Sequence, residues 1–207
     1  MRLTSVISEL PFAEQIDLRF RSFQLAPDAP ERADMLQPEF LASRGMDMTR
    51  FRAAQQQLID MGSEFGFAFN QDATVPSNTH TAHRLIQAAS QSGVQAPVVE
   101  ALFSAYFETG KDLGDPAVLR ETVTEAGLPA SEADRVLADP QAHSTEVAED
   151  IANAARLGIS GVPFLVIDGR FGISGAQPKS TYTDALTTVY AEITAAESHA
   201  PQHTRSQ

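Results

Sequence analysis

Leu157-Gly158-Ile159-Ser160-Gly161-Val162-Pro163-Phe164-Leu165-Val166-Ile167-Asp168-Gly169-Arg170-Phe171-Gly172-Ile173-Ser174 is the stretch on which the fold turns. Val162 to Ile167 is an apolar run too short for a helix, and Asp168-Gly169 is a strong two-residue hairpin signal. Arg170 to Ser174 then reads as the returning strand. Pro163 at the head of a buried strand gives up a ladder donor and restricts Val162, so a bend suits it best. A cis Val162-Pro163 bond is one way to make that bend, and a plain loop proline that opens the strand is the other.

Downstream, Gly175-Ala176-Gln177-Pro178 leads into a final helix to about Ala195, with Tyr182, Leu186, Val189, Tyr190 and Ile193 on one face. The remainder, 196-207, is polar and expected to be a disordered tail. Upstream, helical periodicity fills residues 31-157, with segments expected at Met48-Phe65, Thr79-Ser90, Ala96-Thr109, Pro116-Ala126, Ser131-Ala138 and Ala142-Leu157. Asn78 and Ser131 suit N-caps, Pro116 suits a first turn, and Gly127 and Gly158 suit C-terminal positions. Before that region, Ile16, Leu18 and Phe20 alternate with Asp17, Arg19 and Arg21, which predicts a strand with one buried face over Gln15-Phe23. Leu3, Val6, Ile7 and Leu10 recur at helical spacing and stop at Pro11; this helix starts at Met1 without a cap, so the chain reads as entering in mid-element. The sum is an α/β fold in which helices cover a small sheet and a large all-helical segment is inserted.

At 207 residues, with 43% hydrophobic and 20% charged side chains, the chain can bury a sizeable core. A net charge of −12 with only 15 Lys and Arg works against a phosphate ladder, so nucleic acid is excluded as a partner. No run approaches a membrane span and the first residues lack a signal-peptide core, which makes cytoplasmic the expected location and a membrane an unexpected partner. Cysteine is absent, and with it go disulfides, zinc–thiolate sites and thiol nucleophiles.

Four segments in order resemble the DsbA-like thioredoxin-fold family, specifically its cytoplasmic FrnE-like branch. They are Phe23-Gln24-Leu25-Ala26-Pro27-Asp28, Asn78-Thr79-His80-Thr81-Ala82-His83-Arg84-Leu85, Leu102 to Gly110, and Leu157 to Phe164 followed by Ser174-Gly175-Ala176-Gln177. The resemblance implies a thioredoxin-like portion made of 1-30 and 158-195, with 31-157 as helical insertion. It also implies thiol–disulfide oxidoreduction on protein or peptide substrates, by a Cys-x-x-Cys motif at a helix N-terminus facing a cis-proline. By position, Gly161, Val162 and Pro163 are the substrate-binding half. The family's first strand and its reactive motif lie ahead of the point matching Leu3, and neither is found here. A misplaced start or a truncation is the expected reason, in preference to a fold shortened for binding. Loss of that strand is expected to leave the Phe164 strand with an uncovered edge, which makes a homodimer plausible.

The expected function is accordingly a DsbA-family protein inactive in redox work, with no cofactor and no catalytic residue. The alternatives are a non-redox peptide-binding module and a glutathione-dependent isomerase or transferase of the kappa-like type, whose serine replaces the first cysteine. Ser5, Ser8 and Ser22 are the serines in question, and none sits in a matching motif. His80 and His83, at i and i+3, could ligate a metal given a third ligand, but packing is the stronger reading. By the resemblance, His83 and Arg84 support the insert against the active-site face. Asp72, Asp112 and Asp115 read as solvated or capping, and Ser174-Gly175-Ala176-Gln177 as strand end plus helix cap rather than a ligand loop.

Overall fold

A computed structural model describes residues 2-31, 34-64 and 66-199. Contacts divide them into two compact units, one from the described parts of 1-17 and 159-207, the other from 18-158.

The first unit contains helix α1 (Arg2–Glu9), strands β1 (Phe164–Ile167) and β2 (Phe171–Ser174), and helix α9 (Lys179–His199). The strands are antiparallel, with Phe164 opposite Ser174 and Ile167 opposite Phe171. Asp168 and Gly169 take φ of 52° and 65°, and the Arg170 N–H donates to the Ile167 carbonyl at 3.1 Å. Pairing resumes only at Phe171, so the connection spans Asp168-Arg170 instead of the expected two residues, with Arg170 as the extra one. One sheet face carries Leu165, Ile167 and Ile173, which join Val6, Phe12, Tyr182 and Leu186 in a single apolar cluster. Phe12 and Tyr190 stack face to face at 4.0 Å. Val6, 1% exposed, contributes about 2 kcal/mol by leaving water. Helix α9 runs past Ala195 to His199, so the expected disorder from 196 is not where the helix stops; residues 200-207 lie outside the described set.

The second unit is helical: α2 (Gln37–Ser43), α3 (Met48–Ser63), α4 (His80–Gln91), α5 (Gln95–Phe107), α6 (Pro116–Glu125), α7 (Ala130–Ala138) and α8 (Ser144–Arg156). Its core gathers Leu85, Val98, Leu119, Val123, Leu128 and Val136, each at most 2% exposed, from α4 to α7. Helix ends follow local chemistry. The Asp115 carboxylate accepts from the Ala117 N–H at 2.8 Å, Pro116 opens α6, and Gly127 ends it at φ 102° while the Leu128 N–H returns to the Val123 carbonyl. Asp47 caps α3 in the same way. Ser131, expected as a cap, lies inside α7, whose N-cap is Pro129. Asn78 sits one residue before the N-cap Thr79, yet its Oδ1 accepts from the His80 N–H at 2.8 Å and so does the capping work. Phe65, expected at the end of α3, lies outside the described residues.

The strand expected over Gln15-Phe23 is not one. Gln15 ends a short 3-10 turn, and the sheet among the described residues contains only β1 and β2. The alternation is nonetheless real, since Ile16, Leu18, Phe20 and Ser22 are shielded while Asp17, Arg19 and Arg21 are exposed. Side chains replace a neighbouring strand. The Gln95 amide accepts from the Phe20 N–H and donates to the Phe20 carbonyl, both at 3.0 Å, an exchange otherwise made by an antiparallel partner residue. Asp150 Oδ2 accepts from the Ser22 N–H at 2.9 Å.

Candidate functional site

Gly161, Val162 and Pro163 form a bend directly ahead of β1, and the Val162-Pro163 peptide bond is cis. The Pro163 carbonyl accepts from the Gly175 N–H at 2.9 Å. That bond makes 163, 165 and 167 the positions facing β2, so the N–H and C=O groups of Phe164 and Val166 point out of the opposite edge. Among the described residues no strand pairs with that edge, and the Val162 backbone takes no hydrogen bond. Val162 is 48% exposed and Val166 39%. Outward-pointing backbone groups at alternate residues, flanked by accessible valines, are what an extended polypeptide needs in order to add as a strand. The Phe164 ring closes down over Gly172, where a Cβ would come within 2.9 Å of it.

The bend is braced from behind. Gly175 adopts φ 77°, and the Gln177 side-chain amide donates to the Ser174 carbonyl at 2.7 Å. The Tyr182 hydroxyl accepts from the Gln177 N–H at 3.1 Å and donates to the Gly175 carbonyl at 3.4 Å, while Arg2 Nη1 donates to the Gln177 carbonyl at 3.1 Å. Thus α1 and α9 hold the Ser174-Gln177 turn, and that turn holds Pro163. Ser174 is therefore the strand end that was expected, while the Gln177 side chain closes the turn behind it. Tyr182 was legible as a core position, but nothing in the sequence marked its hydroxyl. Replacing Tyr182 with Phe keeps the ring and deletes both bonds, so it is expected to cost about 1 to 2 kcal/mol of stability. Urea denaturation checks this, and an unchanged midpoint would show that the hydroxyl braces nothing.

The other candidates go elsewhere. His83 is pushed below the ordinary imidazole range, first by burial and then by neighbouring His80, while the Phe23 backbone carbonyl and Asp150 work against the shift. His80 is lowered by burial and by Arg84. No group of metal-ligating side chains occurs among the described residues. Arg84 Nη1 donates to the carbonyls of Val136 (2.9 Å), Asp139 (2.6 Å) and Ala142 (3.3 Å), closing the end of α7. Asp115 is a cap, Asp112 accepts from the Gly114 N–H at 2.8 Å, and Asp72 pairs with Arg52 at 2.5 Å. Ser22 is taken up by Asp150 and by the Gln87 amide, which reaches its Oγ at 3.1 Å. Ser5 bonds to Glu9 and Lys179, and Ser8 to the Ser5 carbonyl.

A family model described as a DSBA-like thioredoxin domain matches residues 1–187. The chain belongs to the DsbA-like thioredoxin-domain family, a family of thiol–disulfide oxidoreductases, and its fold is thioredoxin-like with a helical insertion. Among solved structures it is similar to a probable DsbA oxidoreductase of Streptomyces coelicolor, at 32% identity and a TM-score of 0.83, over 92% of this chain and 82% of that one. Among curated proteins no sequence match is found.

Proposed function

We propose that this chain holds an extended polypeptide along the Gly161-Val166 edge, as the substrate-binding half of a protein thiol–disulfide oxidoreductase, and that in cysteine-free form it carries out no electron transfer. The observation that carries the reading is the pair of outward backbone groups at Phe164 and Val166, beside the unbonded Val162 backbone and a bend fixed by Gly175. With no cysteine in 207 residues, there is no thiolate to attack a disulfide and no leaving sulfur to accept the electron pair. Within the family we place the chain in the FrnE-like branch, acting in the cytoplasm, with the Val162-Pro163 bend as its cis-proline loop.

Insulin reduction by dithiothreitol should proceed at the same rate with and without the protein. Turnover above that background would overturn the redox half of the proposal. A reduced, alkylated unfolded polypeptide should shift the amide resonances of Val162, Phe164 and Val166. Val166→Pro deletes an outward N–H at an edge position, where proline is tolerated, and should weaken binding by up to about tenfold. Binding without shifts at the edge, or unaffected by that substitution, would overturn the other half.

A further inference from the structure

Helix α5 is apolar on nearly every side, with Glu100 as its one charged residue. Such a helix is ordinarily covered all round. Val98, Val99, Leu102 and Ala105 are buried, yet Phe103 is 52% exposed and opens a row of four rings. Phe103 stacks on Phe107 with centroids 5.9 Å apart, Phe107 meets Phe69 edge-on at 5.5 Å, and Phe69 meets Phe67 at 4.7 Å. None of the four is buried. The row is nonetheless held in place. A Cβ on Gly62, near the end of α3, would come within 2.7 Å of the Phe69 ring, so only glycine lets that ring lie there. The Ala68 N–H donates to the Glu108 carboxylate at 3.0 Å and the Asn70 N–H to the Phe107 carbonyl at 2.6 Å. Single exposed apolar side chains need no explanation, but a contiguous aromatic row marks an interaction surface.

The charge around the row selects the partner. Residues 54-70 and 95-110, which supply the rings, contain Asp60, Glu64, Glu100 and Glu108 but no Lys, Arg or His. Glu100 lies one turn before Phe103 and on the same helix face. The Ser104 hydroxyl and the Ala68 N–H hold the Glu108 carboxyl below the ordinary carboxylate range. The nearest cations in sequence are occupied, Arg52 by Asp72 at 2.5 Å and Lys111 by Glu121 at 3.0 Å. A second copy, itself at a net charge of −12, would bring like charge to the row, and so would an anionic membrane surface. A cationic apolar chain meets no such penalty, and its Lys or Arg can also lie over the ring faces.

We propose that the row from Phe67 to Phe103 is a docking surface for a polypeptide segment in which Lys or Arg are interspersed with large apolar side chains, the apolar groups lying on the rings and the cations meeting Glu100 and Glu108. It uses none of the residues of the β1 edge, so it stands whether or not that edge binds.

The full isotope-labelled chain is titrated with a short peptide of Leu and Lys, and separately with its counterpart of Leu and Glu. Saturable binding is expected from the lysine peptide alone, with shifts at the amides of Ala68, Phe103 and Phe107. Phe103→Ser should weaken it about tenfold. Glu100→Lys should weaken it about threefold at low salt and have no effect at high salt. Because Glu100 is solvated, that variant keeps the test open if Phe103→Ser lowers the melting temperature. No binding of the lysine peptide, equal binding of both peptides, shifts confined to Val162, Phe164 and Val166, or affinities unchanged in both variants would overturn the proposal. So would a dimer in sedimentation that Phe103→Ser dissolves, which would assign the row to a second copy.

Discussion

Gly110→Ala is expected to destabilise the helical unit by on the order of 3 to 5 kcal/mol, which places it among the severe single substitutions. Two separate effects add. Gly110 holds φ at 65°, a conformation that costs an L side chain roughly 1 to 2 kcal/mol. Its missing Cβ also lets the chain after α5 close against the 3-10 turn Gln71–Ala73. An added methyl would stand 2.6 Å from the Ala73 carbonyl oxygen and 2.8 Å from the Ala73 Cβ. Those atoms belong to a neighbouring backbone, which cannot rotate aside as a long side chain can. The same seam contains the Asn70 N–H donated to the Phe107 carbonyl at 2.6 Å and the Ala68 N–H donated to the Glu108 carboxylate at 3.0 Å, so yielding at Gly110 strains both. Gly110→Asn separates the causes, because asparagine tolerates positive φ yet keeps the Cβ. Denaturant midpoints should fall for both variants. A wild-type midpoint in Gly110→Ala would refute the close approach, and one in Gly110→Asn alone would assign the whole cost to φ.

Asp150→Ala should cost about 3 kcal/mol. The carboxylate is 6% exposed and accepts from the Ser22 N–H at 2.9 Å and the Gln87 amide at 2.7 Å, with Arg21 Nη1 at 3.3 Å. Arg21 is largely solvated, so the ion pair itself contributes little. Most of the cost comes from the two donors left shielded without an acceptor, at about 1 to 3 kcal/mol each, less what Gln87 recovers through Ser22 Oγ. Asp150→Asn keeps the volume and one acceptor oxygen and should fall between. Urea unfolding gives the energies, and hydrogen exchange should report loss of protection at the Ser22 amide. A change below about 0.5 kcal/mol in Asp150→Ala would refute the assignment, since surface substitutions commonly cost no more.

How much of this was legible in the sequence depends on the range over which each signal acts. Local chemistry was readable: Asp115-Pro116 opening α6 and Gly127 ending it, Gly158 ending α8, and the Asp168-Gly169 turn all depend on a few adjacent residues. The thioredoxin-like class followed from four segments in order. The Gln15-Phe23 strand shows where that reading fails. Period-two burial records an extended chain lying on a surface, and it cannot distinguish a ladder from a pair of side chains. The partners, Gln95 and Asp150, lie 75 and 128 residues away from the groups they bond. Nothing in a lone glutamine or aspartate on a helix announces such a bond. Helix α2 went unseen for a related reason, because Gln37–Ser43 is short and carries no buried residue. At the candidate site, Val162 and Pro163 were readable from the strand they introduce. The Tyr182 hydroxyl behind them was not, because a core face reveals where a ring lies and not what its oxygen meets.

Because the Leu18-Ser22 segment takes its shape from the Gln95 amide and the Asp150 carboxylate, it has no means of ordering by itself during folding. A hairpin can zip from its turn, but this stretch must wait until α5 and α8 are formed and positioned, across loops of 75 and 128 residues. It is thus a late-setting piece of the molecule, fastened only once the helices that hold it are in place.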